Sequence, residues 1–285
     1  MGKNCVLQEV DMMFAPDEVP TTVLFLGVTK HYFPIAALIR AARALQLDSV
    51  AIAVDDDGLL AARMDQSHVR YFEWRFPSAA FENYQLMRSF VFSIDCDTER
   101  IMHEWDKFLH EHKVLTVKLY WYEGKRPRDY GLYFTMALED VQFILKVRQE
   151  LIAPRPVRFG SYHAEVRVDT NELLRLVKPV AKLKLDTVRL ELVGDELRIT
   201  HRDETTGKEK PLGSLQGDQH KGAAASYYGI EYFVPLLKII REFSSEVRLK
   251  FGNDYPIRMS TVWSVGELAF VLAPRKPLSL SSFGG

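Results

Sequence analysis

Leu47-Asp48-Ser49-Val50 opens a segment that runs through Asp57-Gly58-Leu59 to Asp65. The same order returns 138 residues later as Leu185-Asp186-Thr187-Val188, Asp195-Glu196-Leu197 and Asp203. In each copy a short alternating run (Val50 to Val54; Val188 to Leu192) is followed by a second (Leu59 to Met64; Leu197 to Thr200). Between the runs sit Asp55-Asp56-Asp57-Gly58 and Gly194-Asp195. Alternation at period two marks half-buried strands, and Gly next to Asp supplies the backbone freedom of a tight hairpin. The reading is two β-hairpins that are copies of one another.

The correspondence continues outward. Upstream, Pro34 to Ala44 lies over Glu172 to Lys182. Apolar residues fall at helical spacing in both: Ile35, Leu38, Ile39 and Ala42, then Leu173, Leu174, Val177 and Val180. A strand precedes each helix, Val23 to Val28 and Ala164 to Val168. Downstream, Val117-Lys118-Leu119 matches Val247-Arg248-Leu249, each after a second helix-like stretch, Thr98 to His110 and Glu231 to Phe243. Asp97-Thr98 and Asp169-Thr170 carry N-cap chemistry. Pro34 and Pro235 are expected in first turns, and Pro179, set deeper, should bend or shorten its helix. Repetition at this period reads as a duplicated domain.

The rest of the chain fits around the repeat. Residues 1–20 have no counterpart and read as an N-terminal extension. The first domain is expected over 21–141, a Pro- and Gly-bearing interdomain connector (Pro154, Pro156, Gly160) over 142–160, the second domain over 161–275, and a tail over 276–285. Thr205 to Gly222 reads as a long loop with a short strand. The 285 residues are 47% hydrophobic and 26% charged, as for a folded protein of more than one domain. No apolar run reaches bilayer length, and Met1 to Cys5 is not followed by the apolar core of a signal peptide. Two cysteines, Cys5 and Cys96, make neither a disulfide framework nor a zinc site. The formal net charge of −1 argues against wholesale coating by nucleic acid and leaves room for a basic surface balanced by an acidic one.

Two motifs carry a family resemblance. Met64-Asp65-Gln66-Ser67-His68-Val69 resembles the M-D-x-S-H-V motif of PCNA, the archaeal and eukaryotic sliding clamp, and Pro77 to Tyr84 follows at the family's spacing. Near the other end, Phe251-Gly252-Asn253-Asp254-Tyr255-Pro256-Ile257 and Leu272-Ala273-Pro274-Arg275 resemble the family's closing segments. The resemblance covers about residues 22–275. It implies an α+β chain of two clamp domains, each a doubled βαβββ unit, with inner helices and outer antiparallel sheets. It implies a processivity factor for DNA polymerase with no enzymatic activity, no cofactor and no metal. The partners it implies are double-stranded DNA without sequence preference, a clamp loader of the replication factor C type, and self or paralogous subunits in a trimeric ring. Clients such as a B-family DNA polymerase, flap endonuclease and DNA ligase would bind through PIP-box peptides.

Three surfaces follow from that resemblance. The channel would use Lys30, Arg40 and Arg43 on the first helix and Arg100 and Lys107 on the second, where Glu99, Glu104, Asp106 and Glu111 dilute the charge. It would continue with Arg175, Lys178, Lys182 and Lys184 on the third helix, and Lys238 and Arg241 on the fourth. The client-peptide pocket would use Met64, His68, Val69, connector residues Leu151, Ile152 and Pro154, then Pro256, Ala273, Pro274 and Arg275. The subunit interface would pair a strand near Tyr130 to Leu138 (Leu132, Tyr133, Phe134, Met136) with one near Lys210 to Gln216 (Leu212, Leu215). The connector is basic (Lys146, Arg148, Arg155, Arg158) where the family is commonly acidic, so client preference is expected to differ. The nearly neutral charge fits a hetero-oligomeric ring.

Other readings are a specialised clamp, either a damage-checkpoint ring subunit or a viral processivity factor, and a metal-dependent enzyme built on His103, His110 and His112 with Glu104 and Glu111. H-E-x-x-H, CxxC, P-loop and G-x-S-x-G patterns are all missing, and the three aspartates at 55–57 read as a solvated turn rather than a cation loop. The 21 arginines against 16 lysines lean towards an archaeal source. The expected location is the cytoplasm, beside the nucleoid, in an archaeon, and the nucleus in a eukaryote.

Overall fold

The computed structural model describes residues 21–95, 115–122, 131–138 and 141–276, apart from 32, 161, 184, 185 and 264. The first half contains β1 (Thr21–Thr29), helix α1 (Phe33–Ala44), β2 (Ser49–Asp55), β3 (Gly58–Met64), β4 (Arg70–Pro77), β5 (Asn83–Leu86), β6 (Phe90–Asp95), β7 (Leu115–Tyr122), β8 (Gly131–Leu138) and β9 (Val141–Gln149). The second contains β10 (Ala164–Asp169), α2 (Thr170–Val177), β11 (Thr187–Val193), β12 (Glu196–Arg202), β13 (Glu209–Gln216), β14 (Asp218–Lys221), β15 (Ala224–Gly229), α3 (Ile230–Phe243), β16 (Glu246–Phe251), β17 (Ile257–Trp263) and β18 (Gly266–Leu272). The second helix expected in the first half, the N-terminal extension and the tail beyond Lys276 lie outside the described residues.

The duplication is written in the strand order. One sheet runs β14-β10-β16-β17-β18-β4-β3-β2-β6-β9-β8-β7-β1-β5, and a second runs β13-β12-β11-β15. The series β9-β8-β7-β1-β5 is therefore the counterpart of β18-β17-β16-β10-β14, and β4-β3-β2-β6 of β13-β12-β11-β15. The halves meet where β4 pairs with β18, from Arg70↔Leu272 to Arg75↔Glu267. Phe72 and Phe270 face each other there, both fully buried.

The two hairpins that the sequence announced form with two-residue loops, since Asp55 pairs with Gly58 and Val193 with Glu196. Gly58 has φ +132°, and a Cβ there would stand 2.3 Å from the Phe76 carbonyl oxygen, so only glycine fits. The Asp55 carboxylate accepts the Asp57 amide, which is turn chemistry. The Asp169 side chain caps α2 through the Glu172 amide at 2.8 Å. Pro179 ends that helix as expected, turning Lys178–Val180 into a 3₁₀ turn. Pro235 departs from expectation. It sits inside α3, past the first turn, where the helix loses the bond that its missing N–H would have made.

Two segments carry more strand than expected, one read as connector and one as a long loop with a short strand. Residues 142–149, taken as connector, belong to β9 and pair with β8 from Leu138↔Val141 to Leu132↔Val147. Within Thr205 to Gly222 the chain makes both β13 and β14. The helices pack together over the seam: α3 touches α1 and α2, and α1 and α3 both lie on β18. Helix α1 is buried from Pro34 to Ile39, and Trp74 of β4 donates from Nε1 to the Pro34 carbonyl at 2.6 Å.

Three tyrosine hydroxyls are held protonated by this packing. Burial raises Tyr162 to about 12 and pushes Tyr228 higher still. Burial, followed by the carboxylates of Asp55, Asp56 and Asp57, does the same at Tyr84. A raised folded pKa contributes stability that is complete below the unfolded value of roughly 10 and is lost as pH rises towards the folded one. Melting temperature should therefore fall steadily above about pH 10, and the tyrosinate absorbance of these three should appear only with unfolding. A spectrophotometric titration in which all 12 tyrosines ionise together in the folded protein would contradict this.

Candidate docking pocket and basic helix face

The loop after β3 is organised by one carboxylate. Asp65, 4% exposed, accepts the Val69 and Arg70 amides at Oδ1, both at 2.9 Å, and at Oδ2 the Ser67 hydroxyl at 2.6 Å and Arg70 Nε at 3.0 Å. Burial pushes the Asp65 carboxyl up, but the Ser67, Arg70 and Val69 donors outweigh it and hold it below its ordinary value. The turn sets His68 at φ +57°, exposed. Arg70 carries the loop's position further. Its NH1 donates to the Ala44 carbonyl at the end of α1 (3.1 Å), and its guanidinium lies 5.0 Å over the Tyr232 ring of α3. One side chain thus ties the loop, the first helix and the second half together.

Beside this loop is a pocket of about 450 Å³. Leu47, Ala62, Met64, Tyr71 and Val157 give it an apolar floor, and Asp48, Arg63, Asp65, Gln66, His68 and Arg155 give it a polar border. Tyr71 holds the connector down: its hydroxyl accepts the Val157 amide at 3.1 Å, and its ring meets Phe159 edge-on at 5.9 Å. Burial pushes this hydroxyl up as well.

The structure brings some expected pocket residues together and separates others. Met64 and His68 line the pocket. Val69 packs on the core, and its carbonyl accepts the Ala273 amide at 2.9 Å, which lays the last residues of the second half beside the loop. Pro154, Pro256, Ala273 and Pro274 are half-buried and outside the lining. Arg275 pairs with Glu231 at 2.9 Å. Leu151 and Ile152 are outside the lining, 95% and 76% exposed. The connector's contribution comes from Arg155 and Val157 instead, because the chain reaches the sheet only where Tyr71 captures it. Tyr71 was legible in principle, as the residue two past Val69 on a period-two strand.

The expected channel cations divide into paired and open, and two of them lie off the helices, Lys30 in the bend before α1 and Lys182 in the turn after Val180. Lys30 pairs with Glu82 at 2.5 Å, and Arg40 is bound to Glu242 of α3 and lies 5.4 Å over Phe243. Arg43, Arg175, Lys178, Lys182, Lys238 and Arg241 are exposed. Arg175 and Lys178 are three apart at the end of α2, and Lys238 and Arg241 repeat that spacing in α3, so each pair shares a solvent-facing stripe. Arg100, Lys107 and Lys184, with the histidines of the enzyme reading, lie outside the described residues.

The interface expectation needs one correction. Strand β8 pairs with β7 on one side and β9 on the other, so it has no free edge. Leu132, Tyr133 and Phe134 are buried within their own half, and Met136 lies opposite Val117 on the same internal strand. The open side belongs to β9, which among the described residues meets β6 only at Phe92↔Gln149 and Ser93↔Arg148. Strand β13 is a free edge, paired with β12 alone. Leu215 is buried in the core and Leu212 packs on it, so β13 offers outward its backbone rather than these two side chains.

No family model matches the chain. It is 25% identical over 266 residues to the DNA polymerase sliding clamp of Pyrococcus abyssi, covering 90% of this chain and 99% of that protein. Its fold is that of PCNA. It matches the crystal structure of PCNA from Thermococcus kodakaraensis with a TM-score of 0.66 at 21% identity, over 88% of this chain and all of the other. It matches the PCNA2–PCNA3 complex of Sulfolobus tokodaii with a TM-score of 0.63 at 17% identity, over 88% of this chain and 99% of the other.

Replacing Arg70 by Ala leaves the Asp65 charge buried without its guanidinium, and should cost about 3 kcal/mol in urea unfolding. Arg70→Lys, which keeps the charge and loses the fork, should cost less. The lowered Asp65 pKa adds stability that is complete above the unfolded carboxyl value of roughly 4 and is lost as pH falls below it. The acid limb of the stability curve should therefore flatten in Arg70→Ala, and an unchanged limb would refute the assignment.

Proposed function

We infer that this chain is one subunit of a DNA sliding clamp, a protein that encircles duplex DNA and tethers replication and repair enzymes. The observation that carries the reading is similarity to the Pyrococcus abyssi DNA polymerase sliding clamp along nearly the whole of both chains. A tether of this kind needs three things, and the chain offers a candidate for each.

The first is closure. The β4·β18 seam is an antiparallel joint between the two halves; its counterpart strands are β9, whose side away from β8 meets β6 at two residue pairs among the described residues, and β13, which pairs with β12 alone. Pairing β9 of one subunit with β13 of the next repeats the seam between molecules, satisfies both edges and propagates a closed ring. The paralogous complex among the fold neighbours makes a mixed ring the second reading.

The second is sliding contact. Lys and Arg on the exposed stripes of α2 and α3, with Arg43 of α1, can neutralise phosphates without reading bases. The third is client capture by the pocket at Met64, His68, Tyr71 and Val157, whose apolar floor and polar border suit a short peptide with an apolar anchor. A B-family DNA polymerase, flap endonuclease and DNA ligase are the clients proposed, loaded by a replication factor C type ATPase.

The test is primer extension on a singly primed circle. A B-family polymerase should gain processivity from the purified protein only when the loader and ATP are present, and linearising the DNA should release it. Retention that is indifferent to linearisation would sink the ring. Converting Arg175 and Lys178 together to Ala should reduce the dependence of log affinity on log salt by about 2. Light scattering on the lone chain should give the mass of a closed multimer; a monomer that closes only with a paralogue would select the mixed ring.

A further inference from the structure

The pocket beside Asp65 has an uneven charge balance, and its origin is local. Asp65 is spent inside its loop on Arg70, Ser67 and two amides. Asp48 accepts the neutral Gln66 amide at 2.8 Å and keeps its charge, which leaves one negative charge on the border against two positive ones. The two arginines on the border have no such partner. Arg63, at the end of β3, and Arg155, on the connector, are both exposed, and neither makes a hydrogen bond or ion pair within the described residues. Arg158, one residue beyond Val157, is exposed and unpaired in the same way. Tyr71 fixes the connector here through the Val157 amide, so Arg155 is held at the mouth of the pocket rather than on a free linker.

We propose that the pocket selects peptides in which an apolar anchor is flanked by Asp or Glu, with Arg63 and Arg155 reading the acidic flank. This rests on the pocket being the client site. The apolar floor holds the anchor, and the two open guanidiniums, one from the sheet and one from the connector, accept carboxylates as forked donors. A flank of Lys or Arg would meet two like charges on a border where only Asp48 opposes them, which turns attraction into discrimination. The partner class is thus acidic segments of replication or repair proteins, and partners with basic flanks are disfavoured.

The experiment uses the whole chain and two labelled peptides with the same aromatic and aliphatic anchor residues, one flanked by Asp and Glu, the other by Lys and Arg. Fluorescence anisotropy should give tighter binding of the acidic peptide by about three- to tenfold at low salt. The gap should shrink as salt rises from about 0.05 to about 0.5 M. Arg155→Glu, a change at an exposed position, should narrow or reverse the preference without changing the melting temperature. Arg63→Glu is the second variant should the first disturb the connector. Equal affinities, or a preference for the basic peptide, would overturn the charge assignment and leave the client pocket standing. If neither peptide binds while the protein still stimulates polymerase, the pocket is not the client site and the proposal fails with it.

Discussion

The pairing of β4 with β18 is the constraint on which the rest depends. It converts two copies of one fold into a single continuous sheet and brings Phe72 against Phe270. It also decides where the helices lie, since α1 and α3 both cover β18. Arg70 sits at the end of this joint, which is why its guanidinium reaches α1, the Asp65 loop and Tyr232 at once. The candidate pocket stands next to the joint for the same reason: its floor includes Tyr71, the β4 residue opposite Val271. The Arg40–Glu242 pair is a second clasp across the same line, between the helices instead of the strands.

What was legible in the sequence is what obeyed a period. The hairpins β2–β3 and β11–β12 alternate over part of their length and close over two residues at Asp- and Gly-bearing turns, so their order and the duplication could be read directly. Helices α2 and α3 were legible because each buries one stripe and exposes another. Strand β13 was placed by the family resemblance, near Lys210 to Gln216, and not by its own alternation, because a free edge faces solvent along most of its length and Leu215 is its one buried residue. Strand β9 was lost for a different reason: it runs into the connector without a turn residue to mark the change. The pocket was half legible. The Met64 to Val69 motif located its rim, but the family resemblance pointed to Leu151 and Ile152 on the connector, whereas capture by a tyrosine hydroxyl brings Val157 to the pocket.

The basic residues of the helices have two physical roles that pull together. Arg175 and Arg241 stand in the last turns of α2 and α3, where a positive charge meets the negative end of the helix dipole. The same charges face solvent, where a polyanion can meet them. Removing one weakens both effects, so a loss of DNA affinity in such a variant has to be read beside its melting temperature. Arg40 differs, since Glu242 already occupies it and its replacement would be felt first between the halves.

A joint made of main-chain bonds has an evolutionary consequence. Along β4 and β18 the hydrogen bonds run from backbone to backbone, and both faces are buried at the joint, Phe72, Trp74, Leu268 and Phe270 on one and Tyr71 and Val271 on the other, so what must persist is the parity that keeps each set on its own face. Such a constraint tolerates almost any exchange within each set. Lineages can drift apart at most positions while the joint remains the same, and a chain 21% identical to a PCNA of known structure still matches its fold over 88% of its own length.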